Sequence, residues 1–117
     1  MQFSVSLKKN QQFSHVYKNG KSYANRLLVM YILKNDSDQN RIGISVSKKV
    51  GNSVIRHRVK RLIKENYRLH EEIFNSGLDI VIIARQNAAS ADFVMLESAF
   101  LHLCKLHHLI RVGEFSS

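Results

Sequence analysis

The sequence predicts an α/β fold, with helices packed against a central mixed sheet of about four strands. Three observations carry this expectation. Apolar residues recur at helical spacing near the start, in the middle and at the end of the chain, and three apolar runs of strand length lie between those segments. The 117 residues contain no proline, repeat or linker, so they read as a single domain spanning 1–117. With 44% hydrophobic and 23% charged residues, such a chain can bury a core without metal or disulfide staples.

The first helix is expected from about Lys9 to Asn19, where Phe13, Val16 and Tyr17 stand at i, i+3 and i+4 and Gly20 serves as a stop beyond the C-terminus. A further short strand around Ser22 to Asn25 is left open. Leu27 to Leu33 is a strongly apolar strand, followed by a polar turn at Asn35 to Asn40. Ile42 to Ser47 alternates large apolar with small residues, the pattern of a strand with one buried face and one cleared for something to approach.

A helix follows, starting at Ser53 behind Asn52 as N-cap, with Gly51 allowing the turn before it. Ile55, Val59, Leu62, Ile63 and Leu69 fall in one arc at about 100° per residue. Arg56, His57, Lys60, Arg61, Lys64 and Arg68 fill the opposite arc. Gly77 opens a run from Leu78 to Ala84 whose Ile-Val-Ile-Ile core suits an inner strand covered on both faces. The last helix is expected from about Ala91 to His108, with Ser90 as N-cap and Phe93, Leu96, Phe100, Leu103 and His107 as its stripe. The order is α-β-β-α-β-α, with the early strand as an optional addition.

Function is written most clearly in the middle helix. Lys48, Lys49, Arg56, Arg58, Lys60, Arg61 and Lys64 crowd onto it and the turn before it, within a chain of net charge +9 and pI near 10. Cations are disfavoured at a helix N-terminus and repel one another at i, i+4, so helix stability does not explain Arg56, Lys60 and Lys64 in a row. A polyanionic partner does, and nucleic acid is the expected one. A merely solvated face would mix signs, yet only Glu65 interrupts the positive row before Glu71. An anionic membrane would want exposed bulky apolar residues beside the cations, whereas this apolar arc looks committed to a core. One cysteine, Cys104, excludes an intrachain disulfide, and the start lacks the apolar core of a signal segment, so the cytoplasm is the default.

The segment Ser45 to Glu65, with Lys48-Lys49-Val50-Gly51-Asn52 leading into Arg56-His57-Arg58 and Lys60-Arg61, closely resembles the signature of the bacterial ribonuclease P protein subunit. Leu7-Lys8-Lys9-Asn10 with Phe13, Val16, Tyr17, Lys18 and Gly20-Lys21 adds a weaker match, and length and element order extend the resemblance over nearly the whole chain. The resemblance implies an α/β sandwich with a left-handed βαβ crossover through the basic helix, where generic rules would give the right-handed form. It implies removal of the 5′ leader from precursor tRNA, with catalytic Mg²⁺ held mainly by an RNA subunit, and no obligate protein partner. The family's usual Arg-Asn-Arg is here Arg56-His57-Arg58; histidine donates to a phosphate or base but lacks the amide's paired donor and acceptor.

Two RNA surfaces are expected on this basis. Lys48, Lys49, Asn52, Arg56, His57, Arg58, Lys60, Arg61, Lys64 and Arg68 would dock on the catalytic RNA through phosphates. The small-residue sheet face with Phe13, Tyr17 and Tyr31 would form a cleft for the single-stranded leader, where stacking tolerates any base. Without the resemblance, Phe13 and Tyr17 read as the buried stripe of the first helix. No catalytic residue is expected: the nine acids are scattered, and a protein nuclease wants clustered carboxylates or a His pair. Of the ligand-type residues His102, Cys104, His107 and His108, the first points elsewhere and no fourth ligand is apparent, so Cys104 and His107 read as core packing and not as a metal site. The alternative reading is a stand-alone RNA-binding module of ribosome-associated type, and a protein-only nuclease stands third.

Overall fold

In the computed structural model, which describes residues 4–109, five strands and three helices follow in the order β1 (Ser4–Ser6), α1 (Asn10–Asn19), β2 (Lys21–Ala24), β3 (Leu28–Lys34), β4 (Asn40–Ser45), α2 (Ser53–Leu69), β5 (Leu78–Ala84) and α3 (Phe93–Leu106). Short 3₁₀ turns at Glu71–Ile73 and Gln86–Ser90 flank β5. The sheet order is β1-β4-β5-β3-β2, parallel at β1/β4 and β4/β5 and antiparallel at β5/β3 and β3/β2.

The inner position expected for the Ile-Val-Ile-Ile run is where β5 lies, and Ile80, Val81 and Ile82 are all fully buried. Alternation then divides the core in two. Ile80 and Ile82 face α2 and α3, in a cluster with Met30, Val59, Ile63, Tyr67, Phe100 and Leu103. Val81 faces α1, joining Leu7 and Val16, with Phe13, Tyr31, Leu33 and Ile83 packed around them. The sheet is therefore a middle layer with α1 on one side and the α2/α3 pair on the other. Each fully buried Ile or Leu contributes roughly 1.5 to 3 kcal/mol relative to an exposed one, so the larger cluster dominates stability.

Several expectations change in detail. The sheet has five strands, because β1 was not anticipated: three residues, Val5 and Ser6 exposed, carry no periodic signal. It is held by its ladder to β4 and by Ser4, whose hydroxyl meets Tyr67 Oη at 2.7 Å and donates to the Glu71 carboxylate. The open early strand is real, as β2. The cap of α3 is Asp92, whose carboxylate accepts from the Met95 N–H at 2.8 Å, and not Ser90. Ala88 and Ala91 bury themselves in and just after the 3₁₀ turn, which pushes the helix start along the chain. Leu69 is 52% exposed. The buried arc of α2 centres on Val59 and Ile63 and reaches round to Tyr67, leaving Leu69 beyond its edge.

Glycine does different work than expected. Gly20 ends α1 in extended backbone, and Gly51 also lies outside the left-handed region; a Cβ at Gly20 would stand 2.7 Å from the Val16 carbonyl, and one at Gly51 would stand 2.9 Å from Ile55 Cγ2. Both are needed for close approach. Only Gly77 among the described glycines uses positive φ, at 83°.

Candidate nucleic-acid interface

α2 sits between two parallel neighbours, β4 and β5, so its inner face is fixed against the sheet and its outer face is presented rigidly. Asn52 caps it as expected, its side-chain oxygen accepting from the Ile55 N–H at 3.0 Å. His57, Lys60, Arg61, Lys64 and Arg68 are exposed on the outer face, and Lys48 and Lys49 are exposed in the turn that leads into it.

The cations differ in how free they are. Arg68 is bound to the Glu65 carboxylate on its own helix, which holds Glu65 below the usual carboxylate range. Arg58 does not reach the basic face. Its guanidinium donates to the Ala89 carbonyl and, at 3.2 Å, to the Ala91 carbonyl, clamping the 3₁₀ turn that precedes α3. Arg56 is half-buried beside the core, and its Nε is buried with no hydrogen-bond partner among the described residues.

The aromatic residues converge on the other side of α2's first turns. Phe13 and Tyr17 project from α1 with ring centroids 6.4 Å apart, and Tyr31 from β3 meets Tyr17 edge-on at 5.1 Å. Phe13 lies directly over Gly43: a Cβ there would come within 2.6 Å of its ring. The cleared face of β4 is thus filled at Gly43 by α1 itself and stays open at Ser45, which lines the cleft beside Tyr17. Burial raises the Tyr17 pKa, with the neighbouring Ser45 side chain opposing.

These pieces enclose an open cleft of about 780 Å³. Phe13 and Tyr17 line one wall, Ser45 and Val46 the floor, and Arg56, His57 and Lys60 the other wall. Two surfaces expected to be separate therefore share a border, because the first half of α2 overhangs the cleft. No carboxylate lines it. Tyr31 stands behind Tyr17 as support and is not among the lining residues. Asn10, Ser14 and Ser53 also line the cleft and were missed; small polar residues carry no sequence signal of their own. A second cationic patch was missed too, where Lys49 and Arg85 flank Ser47, Gln86 and Asn87 at the C-terminal ends of β4 and β5.

Among the described residues no group of three His, Cys, Asp or Glu side chains is placed to hold an ion. Cys104 is buried and its thiol is pushed up to about 12 by burial, while the His107 ring lies 2.8 Å from the Met30 carbonyl. Both pack, as expected. No helix among the described residues is long and apolar enough to cross a membrane.

Comparison with known proteins points one way. A family model described as Ribonuclease P matches residues 1–107. The ribonuclease P protein component of Lachnoclostridium phytofermentans is 60% identical over 111 residues, covering 95% of this chain and 96% of that one. That of Clostridioides difficile is 54% identical over 100 residues, covering 85% and 88%. Among solved structures, the Staphylococcus aureus RNase P protein superposes with a TM-score of 0.84 at 38% identity, covering 92% of this chain and 99% of that chain. The Thermotoga maritima RNase P protein gives 0.78 at 31% identity, covering 86% and 96%.

Proposed function

This chain belongs to the ribonuclease P protein family, and so to tRNA processing in partnership with ribonuclease P RNA, and from that premise we propose how its surfaces divide the work. The outer face of α2, with Lys48, Lys49, Asn52, His57, Lys60, Arg61, Lys64 and Arg68, docks on the catalytic RNA through phosphates. The aromatic cleft takes the single-stranded 5′ leader of precursor tRNA, with Phe13 and Tyr17 stacking on bases and Arg56 meeting the backbone. Arg58 serves by position, holding α2 to the turn before α3.

The observation that carries this reading is the shared cleft: stacking rings and cations with no carboxylate between them, about 780 Å³ of open space. Unpaired RNA presents that pairing of π-faces and phosphates, and each stacked base contributes about 1 to 3 kcal/mol. A guanidinium half-buried with an unpartnered Nε is prepared for an anion that brings its own acceptors.

Phosphodiester hydrolysis is assigned to the holoenzyme. The catalytic Mg²⁺ ions are assigned to the RNA subunit, and no catalytic residue is named on this chain. The protein's part is electrostatic and positional: it screens phosphate repulsion between two RNAs and fixes the leader beside them, working in the cytoplasm. The test is cleavage of precursor tRNA at low Mg²⁺ with a bacterial ribonuclease P RNA, with and without the protein, and with protein alone. Cleavage only in the combined sample supports the proposal. RNA activity indifferent to the protein would point instead to a stand-alone RNA-binding module, and cleavage by protein alone to a nuclease.

A further inference from the structure

Past the aromatic cleft, at the edge of the sheet, lies a second cavity of about 300 Å³. It shares Phe13, Ile44 and Lys60 with the first, so the two form one trough around the end of β4. Its remaining cations are Lys64, one helical turn beyond Lys60, and Lys8, which approaches from the segment before α1. No carboxylate lines it, and none of the three lysines forms an ion pair among the described residues.

The trough's floor carries a second kind of donor. β1 pairs with only the first half of β4, Asn40 to Ile42, and the ladder's last rung is the Leu7 N–H donating to the Ile42 carbonyl at 2.8 Å. In a parallel ladder alternate residues turn both backbone groups to the same side. Ile42 faces β1, Gly43 faces β5, and Ile44 faces outward where β1 has already ended. Among the described residues the Ile44 N–H therefore has no strand partner on that side, at the point where the two cavities meet. An exposed backbone donor seeks an acceptor, and three lysines around it select an anionic one.

We infer that the second cavity is an extension subsite for single-stranded RNA: a leader phosphate beyond the base stacked on Phe13 is held there by the Ile44 N–H with Lys8, Lys60 and Lys64. This rests on the aromatic cleft being the leader site, and adds a direction and a length to it. Lys8 is its distinctive residue, being exposed, outside every helix and strand, and separate from the docking face of α2.

The test uses the reconstituted holoenzyme and equilibrium binding of precursor tRNAs whose leaders grow one nucleotide at a time. With the unaltered protein, affinity rises in two steps, as the leader fills first the aromatic cleft and then the extension subsite. Lys8→Glu removes the second step alone, a loss of about threefold, and lowers the salt dependence for long leaders by about one phosphate contact. Lys8→Arg keeps the step. The inference is overturned if the second step survives Lys8→Glu, or if that variant weakens every leader length equally, which would place Lys8 on the catalytic RNA. Affinity that never depends on leader length would fail the aromatic cleft as well, which separates the two failures.

Discussion

Gly43→Ala tests the contact that shapes the cleft. The added Cβ would stand 2.6 Å from Phe13 Cε1 and Cζ and 3.2 Å from Leu7 Cδ1. Carbon atoms prefer about 3.5 to 4.0 Å, so the ring must retreat by roughly 1 Å. Gly43 is in the middle of β4, paired with Val81 in the central ladder, so the backbone cannot yield in its place. Overpacking of this kind costs about 1 to 3 kcal/mol, and in a chain of this size each kcal/mol lowers Tm by about 4 °C. If the cleft is the leader site proposed above, leader affinity should fall too, because the displaced ring would no longer meet a base squarely. Urea unfolding with linear extrapolation gives the stability, and a double-mutant cycle with Phe13→Ala assigns the cause. With the ring removed, the extra methyl has room, and Gly43→Ala should be nearly neutral. A coupling of at least about 1 kcal/mol is expected. Equal costs in both backgrounds would show that Phe13 does not pack on Gly43 and would refute the derivation.

Charge reversal at both Lys60 and Arg61 should weaken docking on the catalytic RNA at least tenfold at moderate salt. In the unaltered protein, neutralising about six phosphates gives a fall of about a thousandfold between 50 and 200 mM salt, and the slope should flatten in the variant; filter binding across a salt series reads both. Arg58→Ala should act differently. It removes charged hydrogen bonds to two carbonyls and so costs about 1.5 to 3 kcal/mol in urea unfolding, while RNA affinity of the folded fraction stays within about threefold. Burial holds the His107 imidazole below its ordinary pKa of 6.5. The unfolded chain therefore takes the proton first as pH falls; stability is full above 6.5 and declines from there toward the depressed folded value. His107→Gln should flatten that decline, and equal pH slopes for the two proteins would exclude His107 as its source.

How far the sequence could be read depended on how local each decision was. The start of α2 was legible because its cap, Asn52, and its bonded partner, Ile55, are three residues apart. The inner place of β5 was legible because four consecutive apolar residues can be buried only on two faces. β1 was not, since three residues hold no period and their partner strand begins more than 30 residues on. Ser90 and Asp92 are both good caps, and the choice between them fell to the burial of Ala88 and Ala91. Arg58 looked like any other cation in the row. Its partners are carbonyls some 30 residues downstream, and no spacing rule reaches that far. The cleft itself joins α1, the end of β4 and the start of α2, so its aromatic and basic halves were each visible while their shared border was not.

The sheet order also governs how the chain comes into being. β5 is the last of the described strands to be synthesised, yet it lies at the centre, between β4 and β3. Until Leu78–Ala84 leaves the ribosome, β1 with β4 and β2 with β3 are separate pairs, each with an inner edge open to mispairing. High contact order of this kind slows folding and concentrates it at the end of synthesis. A product truncated before Leu78 would keep the whole basic helix and lose the strand that joins the two halves, leaving a cation-rich fragment with nothing to hold it in shape.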